Sequence, residues 1–113
     1  MSTLEKEIEG YLRAQVELRG GRCLKWVSPG NSGVPDRIVL LPQGRIGFAE
    51  LKRPKGSTTE EIQKYWQRTL KDLGFTAAIL KDKKDVAQFL NEMAGGIDMR
   101  KAVKTYAEKM DRL

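Results

Sequence analysis

The sequence predicts an α/β fold, in which helices flank a mixed β-sheet within a single domain of 113 residues. Apolar residues recur at helical spacing in three segments, at residues 2–19, 57–73 and 83–93. Short apolar runs of β type lie between these segments. The strand–helix–strand order in the second half implies a parallel strand pair beside an antiparallel hairpin, and therefore a mixed sheet.

The first predicted helix covers residues 2–19. Ser2 or Thr3 can cap its N-terminus, and the acidic residues near its start suit the helix dipole. Gly20 and Gly21 follow the last apolar residue of the stripe and end the helix.

Glu5 lies within the apolar stripe of this helix. At about 100° per residue it projects between Leu12 and Val16, where a carboxylate is costly unless it has a partner. Two interpretations stay open. Glu5 is either a partly exposed residue at the border of the stripe or an acidic group of a metal site, with Glu9 as the alternative acid.

Residues 22–27 alternate sufficiently to form a strand, and residues 28–33 form a loop rich in turn residues. This loop leads directly into Pro35 and Asp36. Its glycines allow the backbone to approach a bulky anion such as a DNA strand, although a plain connection fits the composition equally well.

Two β-type runs, residues 38–41 and 46–49, flank a turn at residues 42–44 and predict a hairpin. If the turn centres on residue 43, antiparallel partners sum to 86, so that Leu41 faces Arg45. Residues directly opposite one another on a hairpin have Cβ atoms about 4.5–5.5 Å apart and share a face of the sheet.

The same register sets Asp36 opposite Glu50, and Lys52 shares the face of Glu50 because it lies two residues further along the strand. Two closely opposed carboxylates repel each other when both are ionised, unless a positive charge lies between them. A divalent cation such as Mg²⁺ or Mn²⁺ meets that need, and Lys52 can stabilise an attacking hydroxide or the developing charge. The alternative is an ordinary ion pair between strands.

The second predicted helix follows a basic turn at residues 53–56 and starts at Ser57 or Thr58, with a glutamate three residues later as a capping box. Gly74 ends it. Its predicted buried face consists of Ile62, Tyr65, Trp66, Thr69, Leu70 and Leu73. A strand over 75–80, a helix from Asp82 or Lys83 to Met93, and a charged helix over 97–113 complete the chain.

Composition limits the chemistry that the chain can perform. Lysine and arginine outnumber aspartate and glutamate by 21 to 15, which gives a net charge of +6 and favours a polyanionic partner. The absence of histidine excludes histidine-based catalysis and zinc sites with histidine ligands. The single cysteine excludes an internal disulfide, and no apolar run approaches the roughly 20 residues that cross a bilayer. We therefore expect a cytoplasmic protein without a membrane segment.

Pro35-Asp36 followed by Glu50-Leu51-Lys52 resembles the PD-(D/E)xK nuclease signature. The longer pattern, Gly-Val-Pro-Asp-Arg at 33–37 and Phe-Ala-Glu-Leu-Lys at 48–52, resembles the VRR-NUC branch of that superfamily. The resemblance covers about residues 4–90. It implies a restriction-endonuclease-like αβββαβ core, with a nuclease domain at residues 1–94 and a C-terminal helical extension at 95–113 that packs on the domain, dimerises or forms a basic arm.

The resemblance also implies a divalent-metal-dependent DNA endonuclease, with Mg²⁺ or Mn²⁺ as cofactor. Small phage and bacterial members of this branch resemble Holliday junction resolvases that act as homodimers on four-way junctions. Flap or nicking activity is the close alternative, and a non-catalytic basic nucleic-acid-binding module is the distant one. The implied catalytic residues are Glu5, Asp36, Glu50, Lys52 and Gln63. The implied metal ligands are Asp36, Glu50 and the backbone carbonyl of Leu51. The predicted DNA contacts are Lys25, Asn31, Ser32, Arg37, Arg53 and Lys55.

Overall fold

The computed structural model describes residues 3–54, 56 and 59–95, which form three helices and four strands. Their bounds are α1 Thr3–Leu18, β1 Arg22–Lys25, β2 Arg37–Leu41, β3 Arg45–Leu51, α2 Glu61–Asp72, β4 Thr76–Leu80 and α3 Lys83–Met93. This order confirms the predicted αβββαβ core and the helix that follows it. The predicted helix over 97–113 lies outside the described residues, as do Ser57 and Thr58.

The four strands form one mixed sheet in the order β1-β2-β3-β4. β1 and β3 are antiparallel to β2, whereas β3 and β4 are parallel. Leu41 pairs with Arg45, so the predicted hairpin register is confirmed. Gln43 and Gly44 complete the turn with φ angles of 70° and 72°. The left-handed conformation of Gln43 is uncommon for a residue with a side chain.

Helices α1 and α3 cover one face of the sheet and enclose the main core. Strand residues on this face alternate with residues on the other, as the two-residue period of a β-strand requires. The buried members of this core are Ile8, Leu12, Val16, Val39, Leu41, Ala49, Leu51, Leu80, Val86, Phe89, Leu90 and Met93. Both α1 and α3 bury their apolar stripes in this core.

Helix α2 lies on the opposite face, where Phe48, Leu70 and Ala77 form a second, smaller core. The predicted buried face of α2 is wrong in half of its members. Leu70 is buried, but Ile62, Tyr65 and Leu73 are 39%, 49% and 68% exposed. The α2 helix packs mainly on β4, so the apolar residues on its other flank lack a facing strand.

The start of α2 also differs from the prediction. The helix begins at Glu61 with Glu60 as its N-cap, not at Ser57 or Thr58. The Glu60 backbone N–H donates a hydrogen bond to Gln63 Oε1 at 3.1 Å. This bond gives a partner to a backbone N–H that has no acceptor within the helix. The C-terminus agrees with the prediction, because Gly74 adopts a φ of 95° immediately after the last turn.

No helix within the described part of the chain combines the length and the apolar character needed to cross a membrane.

Candidate functional site

Asp36 and Glu50 meet at the open end of the β2–β3 hairpin. Asp36 immediately precedes β2, and its carbonyl accepts a hydrogen bond from the Trp26 N–H at 2.9 Å. Its side chain accepts a second hydrogen bond through Oδ2, from the Leu51 N–H at 2.9 Å. The Asp36 carboxyl group also hydrogen-bonds the carboxyl group of Glu50. The hairpin register therefore brings the two acids into direct contact.

Glu50 is a buried acid, with only 5% of its surface exposed. Burial, followed by the negative charge of Asp36, raises the pKa of its carboxyl group from an ordinary 4.5 to about 8. The Lys52 ammonium acts in the opposite direction, and the hydrogen bond that the protonated Glu50 donates to Asp36 and the charge of Glu5 add to the rise in the pKa. In the metal-free protein at neutral pH, the acid pair therefore holds a proton.

Gln63 connects α2 to this acid pair. Its Nε2 donates a hydrogen bond to Glu50 Oε1 at 3.0 Å, and its Oε1 accepts the N-cap hydrogen bond from Glu60. Gln67, one turn further on, instead directs its Nε2 toward the Ala78 carbonyl at 3.4 Å. The structure thus brings Gln63, and not Gln67, to the acid pair.

Three further charged residues were predicted near the acid pair: Lys52 on β3's extension, and Glu5 and the alternative Glu9 on α1. Lys52 is near enough for its charge to lower the pKa of Glu50, and its backbone N–H is fixed by the Leu80 carbonyl at 3.0 Å. The charge of Glu5 also acts on Glu50. The alternative acid, Glu9, forms an ion pair with Arg37 at 2.7 Å. Of these two α1 acids, Glu5 is therefore the one that acts electrostatically on the acid pair.

The donor set at this site fits a hard divalent cation. Asp36 and Glu50 present carboxylate oxygens, which Mg²⁺ and Mn²⁺ prefer over nitrogen and sulfur ligands. A cation between these two acids would relieve the repulsion that contributes to the raised pKa of Glu50. The described residues contain no group of three histidine, cysteine or acidic side chains arranged around one point. A cation here would therefore complete its shell with water, phosphate and amide or main-chain oxygens, as Mg²⁺ commonly does.

The predicted DNA contacts are dispersed around this site. Asn31 and Ser32 are exposed in the loop before Asp36, where Asn31 Nδ2 donates to Ser28 Oγ at 3.1 Å. Lys25 is exposed on β1, whereas Arg37 is largely enclosed in its ion pair with Glu9. Arg53 is exposed, and its Nη2 donates to the Gly56 carbonyl at 2.7 Å. Lys55 lies outside the described residues.

Two residues that support the site were missed by sequence reasoning. Trp66 Nε1 donates to the Ser32 carbonyl at 2.9 Å, which ties α2 to the loop before Asp36. Gly33 adopts a φ of 78°, and a Cβ there would lie 2.6 Å from an atom of Ile62. The sequence offers one indication of these contacts. Ile62 and Trp66 lie one residue before and three residues after Gln63, so they are on the part of α2 that faces the site.

Comparisons with known proteins agree with this fold. No protein-family model matches the chain. The chain is 41% identical over 86 residues to "Putative nuclease p44" of Acyrthosiphon pisum secondary endosymbiont phage 1, a match that covers 76% of this chain and 90% of that protein. It is also similar to a solved structure described as "VRR_NUC domain", with a TM-score of 0.73 and 27% identity over 80% of this chain and 97% of the other.

Proposed function

The chain belongs to the VRR-NUC family of nucleases, and from that premise we propose that it is a divalent-metal-dependent endonuclease that resolves four-way DNA junctions as a homodimer. The observation that carries the metal-dependent chemistry is the contact of Asp36 with the buried Glu50, with the charge of Lys52 beside it. A buried acid whose pKa is raised by an opposed carboxylate, as that of Glu50 is, is expected to exchange its proton for a metal ion.

Each residue of the proposed site has its own task. Asp36 and Glu50 would hold Mg²⁺ or Mn²⁺, with the Leu51 carbonyl as a further ligand and Glu5 adding negative charge. The bound cation supplies positive charge for the phosphate oxygens and acidity for the attacking water. Lys52 stabilises the negative charge that develops on the phosphate. Gln63 holds the Glu50 carboxylate in one orientation, because it is itself fixed by the N-cap of α2.

The junction substrate and the homodimer follow from the resemblance and from symmetry. A four-way junction presents two equivalent strands to cut, and a twofold dimer presents two equivalent sites. The net charge of +6 favours association with branched DNA, in which several phosphate backbones converge. Such an enzyme would act in a bacterial cytoplasm, including that of an infected host cell.

The experiment that tests this function is cleavage of a labelled four-way junction in Mg²⁺, Mn²⁺ or EDTA, beside linear-duplex and flap controls. We expect paired, symmetric nicks that need metal, and we expect Glu50→Gln to abolish cleavage while junction binding persists. Gln63→Ala should lower the cleavage rate without abolishing it. Glu17→Gln is the matched control, because it removes one exposed glutamate charge about 18 Å along α1 from Glu5.

The outcomes separate the alternatives. Cutting of flaps or nicked duplex alone would retain the nuclease and reject the resolvase. Binding without cutting of any substrate would support the non-catalytic basic module. Cleavage by Glu50→Gln at the rate of the unaltered protein would reject the proposed site.

A further inference from the structure

A groove of about 480 Å³ lies between α1 and β1 and includes Asp36 of the acid pair in its lining. Its lining residues come from one side of α1 and from residues in or next to β1 and β2. They are Lys6, Glu9, Gly10, Arg13, Lys25, Trp26, Asp36 and Arg37. Asp36 belongs both to the groove and to the acid pair, so a molecule in the groove would lie next to the proposed reaction centre.

The charges of this groove favour an anion. Arg37 is neutralised by its ion pair with Glu9, and Asp36 is committed to the acid pair. The three other cations, Lys6, Arg13 and Lys25, are exposed and form no ion pair with an acid in the described ranges. Their positive charges therefore face solvent along the groove, as cations that bind phosphates do.

Gly10 is an independent indication of a ligand. It lies in the interior of α1, where glycine is the least favourable residue after proline. A Cβ at this position would meet nothing within 4 Å, so packing of the described residues does not require glycine there. Without a side chain, the helix backbone forms a low wall of the groove that a bulky ligand can approach closely.

We propose that this α1–β1 groove binds the phosphate backbone of one DNA strand adjacent to the scissile phosphate. The proposal rests on the proposed function for the identity of the anion as DNA. Lys6, Arg13 and Lys25 contact consecutive phosphates, and the strand crosses the bare backbone at Gly10 before it reaches Asp36. None of the predicted DNA contacts except Lys25 and Arg37 belongs to this surface.

The first test compares two double variants that each remove one exposed arginine and one exposed lysine. Arg13→Ala with Lys25→Ala alters the groove, whereas Arg68→Ala with Lys71→Ala alters a basic surface of α2.

Binding of a labelled single-stranded oligonucleotide is measured by fluorescence anisotropy in EDTA at several salt concentrations. Loss of two phosphate contacts should reduce the slope of log K against log salt by about 1.4 for the groove variant. The α2 variant should reduce the slope by less than half of that amount. Equal reductions in both variants, or no reduction in the groove variant, would overturn the proposal.

The second test uses the open space beside Gly10. Gly10→Ala should raise the Tm by about 4 °C, because alanine suits a helix interior better, and should weaken binding about twofold. Gly10→Leu should fill the groove and weaken binding about tenfold. Ala14→Leu is the control, since it adds the same side chain one turn later at an exposed position outside the groove. Unchanged oligonucleotide affinity in Gly10→Leu, in protein whose Tm shows that it is folded, would reject the groove as the binding surface.

Failure of this inference is distinguishable from failure of the proposed function. If the groove variants bind and cut junctions as the unaltered protein does, the nuclease stands and the groove is not its DNA-binding surface. If the groove variants lose binding but the unaltered protein cuts nothing, the groove stands as a nucleic-acid site and the proposed catalysis fails.

Discussion

Glu50 shows how strongly one residue can depend on its surroundings. It lies in β3 between two buried apolar residues, and its carboxyl group contacts Asp36 and Gln63 instead of water. Burial and the neighbouring acid raise its pKa to about 8. The folded protein therefore tolerates this acid near neutral pH because a proton is bound there, and a cation could take the place of that proton.

The raised pKa of Glu50 predicts a pH-dependent stability in metal-free protein. Between the ordinary pKa of 4.5 and the raised value of about 8, the folded state binds more protons than the unfolded state does. The free energy of unfolding should therefore fall as pH rises through this window, by up to about 1.4 kcal/mol per pH unit. The glutamine of Glu50→Gln does not titrate, so this variant should lack the pH dependence that Glu50 contributes. Urea denaturation in EDTA at pH 5, 6, 7 and 8 measures the free energy of unfolding of both proteins.

Glu17→Gln is the matched control for this experiment, because it removes an exposed carboxylate and should keep the pH slope of the unaltered protein. Identical slopes for the unaltered protein and Glu50→Gln would show that Glu50 is already ionised in the folded state at acidic pH.

The acid pair could be predicted from the sequence because a hairpin fixes its own register. Once the turn was placed at residue 43, the positions of Asp36 and Glu50 followed from the spacing of paired residues. The ion pair of Arg37 with Glu9 joins residues 28 positions apart and depends on how α1 packs beside β2. No local spacing encodes that contact, so Arg37 appeared in the sequence as a cation available to DNA.

At the scale of elements, α2 and the loop before β2 act together to place the site. Trp66 donates a hydrogen bond to the Ser32 carbonyl, and Ile62 packs directly against Gly33. Gln63 is adjacent to Ile62 and reaches Glu50 from the same helix. A disturbance of the loop should therefore move the side chain that orients the buried acid.

This packing predicts that Gly33→Ala costs more stability than Gly30→Ala. Both glycines have left-handed φ angles, 78° and 84°, so alanine is strained at either position by about 1 kcal/mol. A Cβ at position 33 would also lie 2.6 Å from Ile62, whereas one at position 30 would meet nothing within 4 Å. We expect a further loss of about 1 kcal/mol in the free energy of unfolding for Gly33→Ala, measured by urea denaturation.

An Ile62→Ala background isolates the cause. Ile62→Ala removes the two nearest side-chain atoms and leaves only the Cβ of residue 62, at 3.1 Å, so most of the excess cost of Gly33→Ala should disappear. An excess cost of Gly33→Ala that persists undiminished in this background would mean that the contact with Ile62 is not responsible.

The sequence predicted the existence and order of the elements better than the exposure of α2. Helical periodicity identifies an apolar stripe, but it does not reveal how wide the facing surface is. In this sheet α2 packs mainly on β4, which leaves Ile62, Tyr65 and Leu73 partly exposed. The N-cap was missed for a related reason: glutamate is not a preferred capping residue, and Glu60 is stabilised there by the side chain of Gln63.

At the scale of the whole molecule, the described parts of the site come from a single chain. Asp36, Glu50 and Gln63 contact one another through the hairpin and α2 of the same subunit. In a dimer, each subunit would therefore form its own acid pair, and we expect each pair to serve the cleavage of one strand. Symmetric cleavage would then depend on how the dimer presents the junction, and not on a shared catalytic centre.

Self-contained sites predict the behaviour of a mixed dimer with one unaltered subunit and one Glu50→Gln subunit. The active subunit should nick its own strand at close to its usual rate, and the altered subunit should leave the opposite strand intact. Differently tagged subunits, co-expressed and purified by two successive affinity steps, are assayed on a supercoiled plasmid that extrudes a four-way junction. The unaltered dimer should give linear plasmid, whereas the mixed dimer should accumulate nicked circles. A mixed dimer with Glu17→Gln should give linear plasmid, as the unaltered dimer does. Uncut plasmid from the Glu50→Gln mixed dimer would contradict independent sites, and failure to recover any doubly tagged protein would contradict the dimer itself.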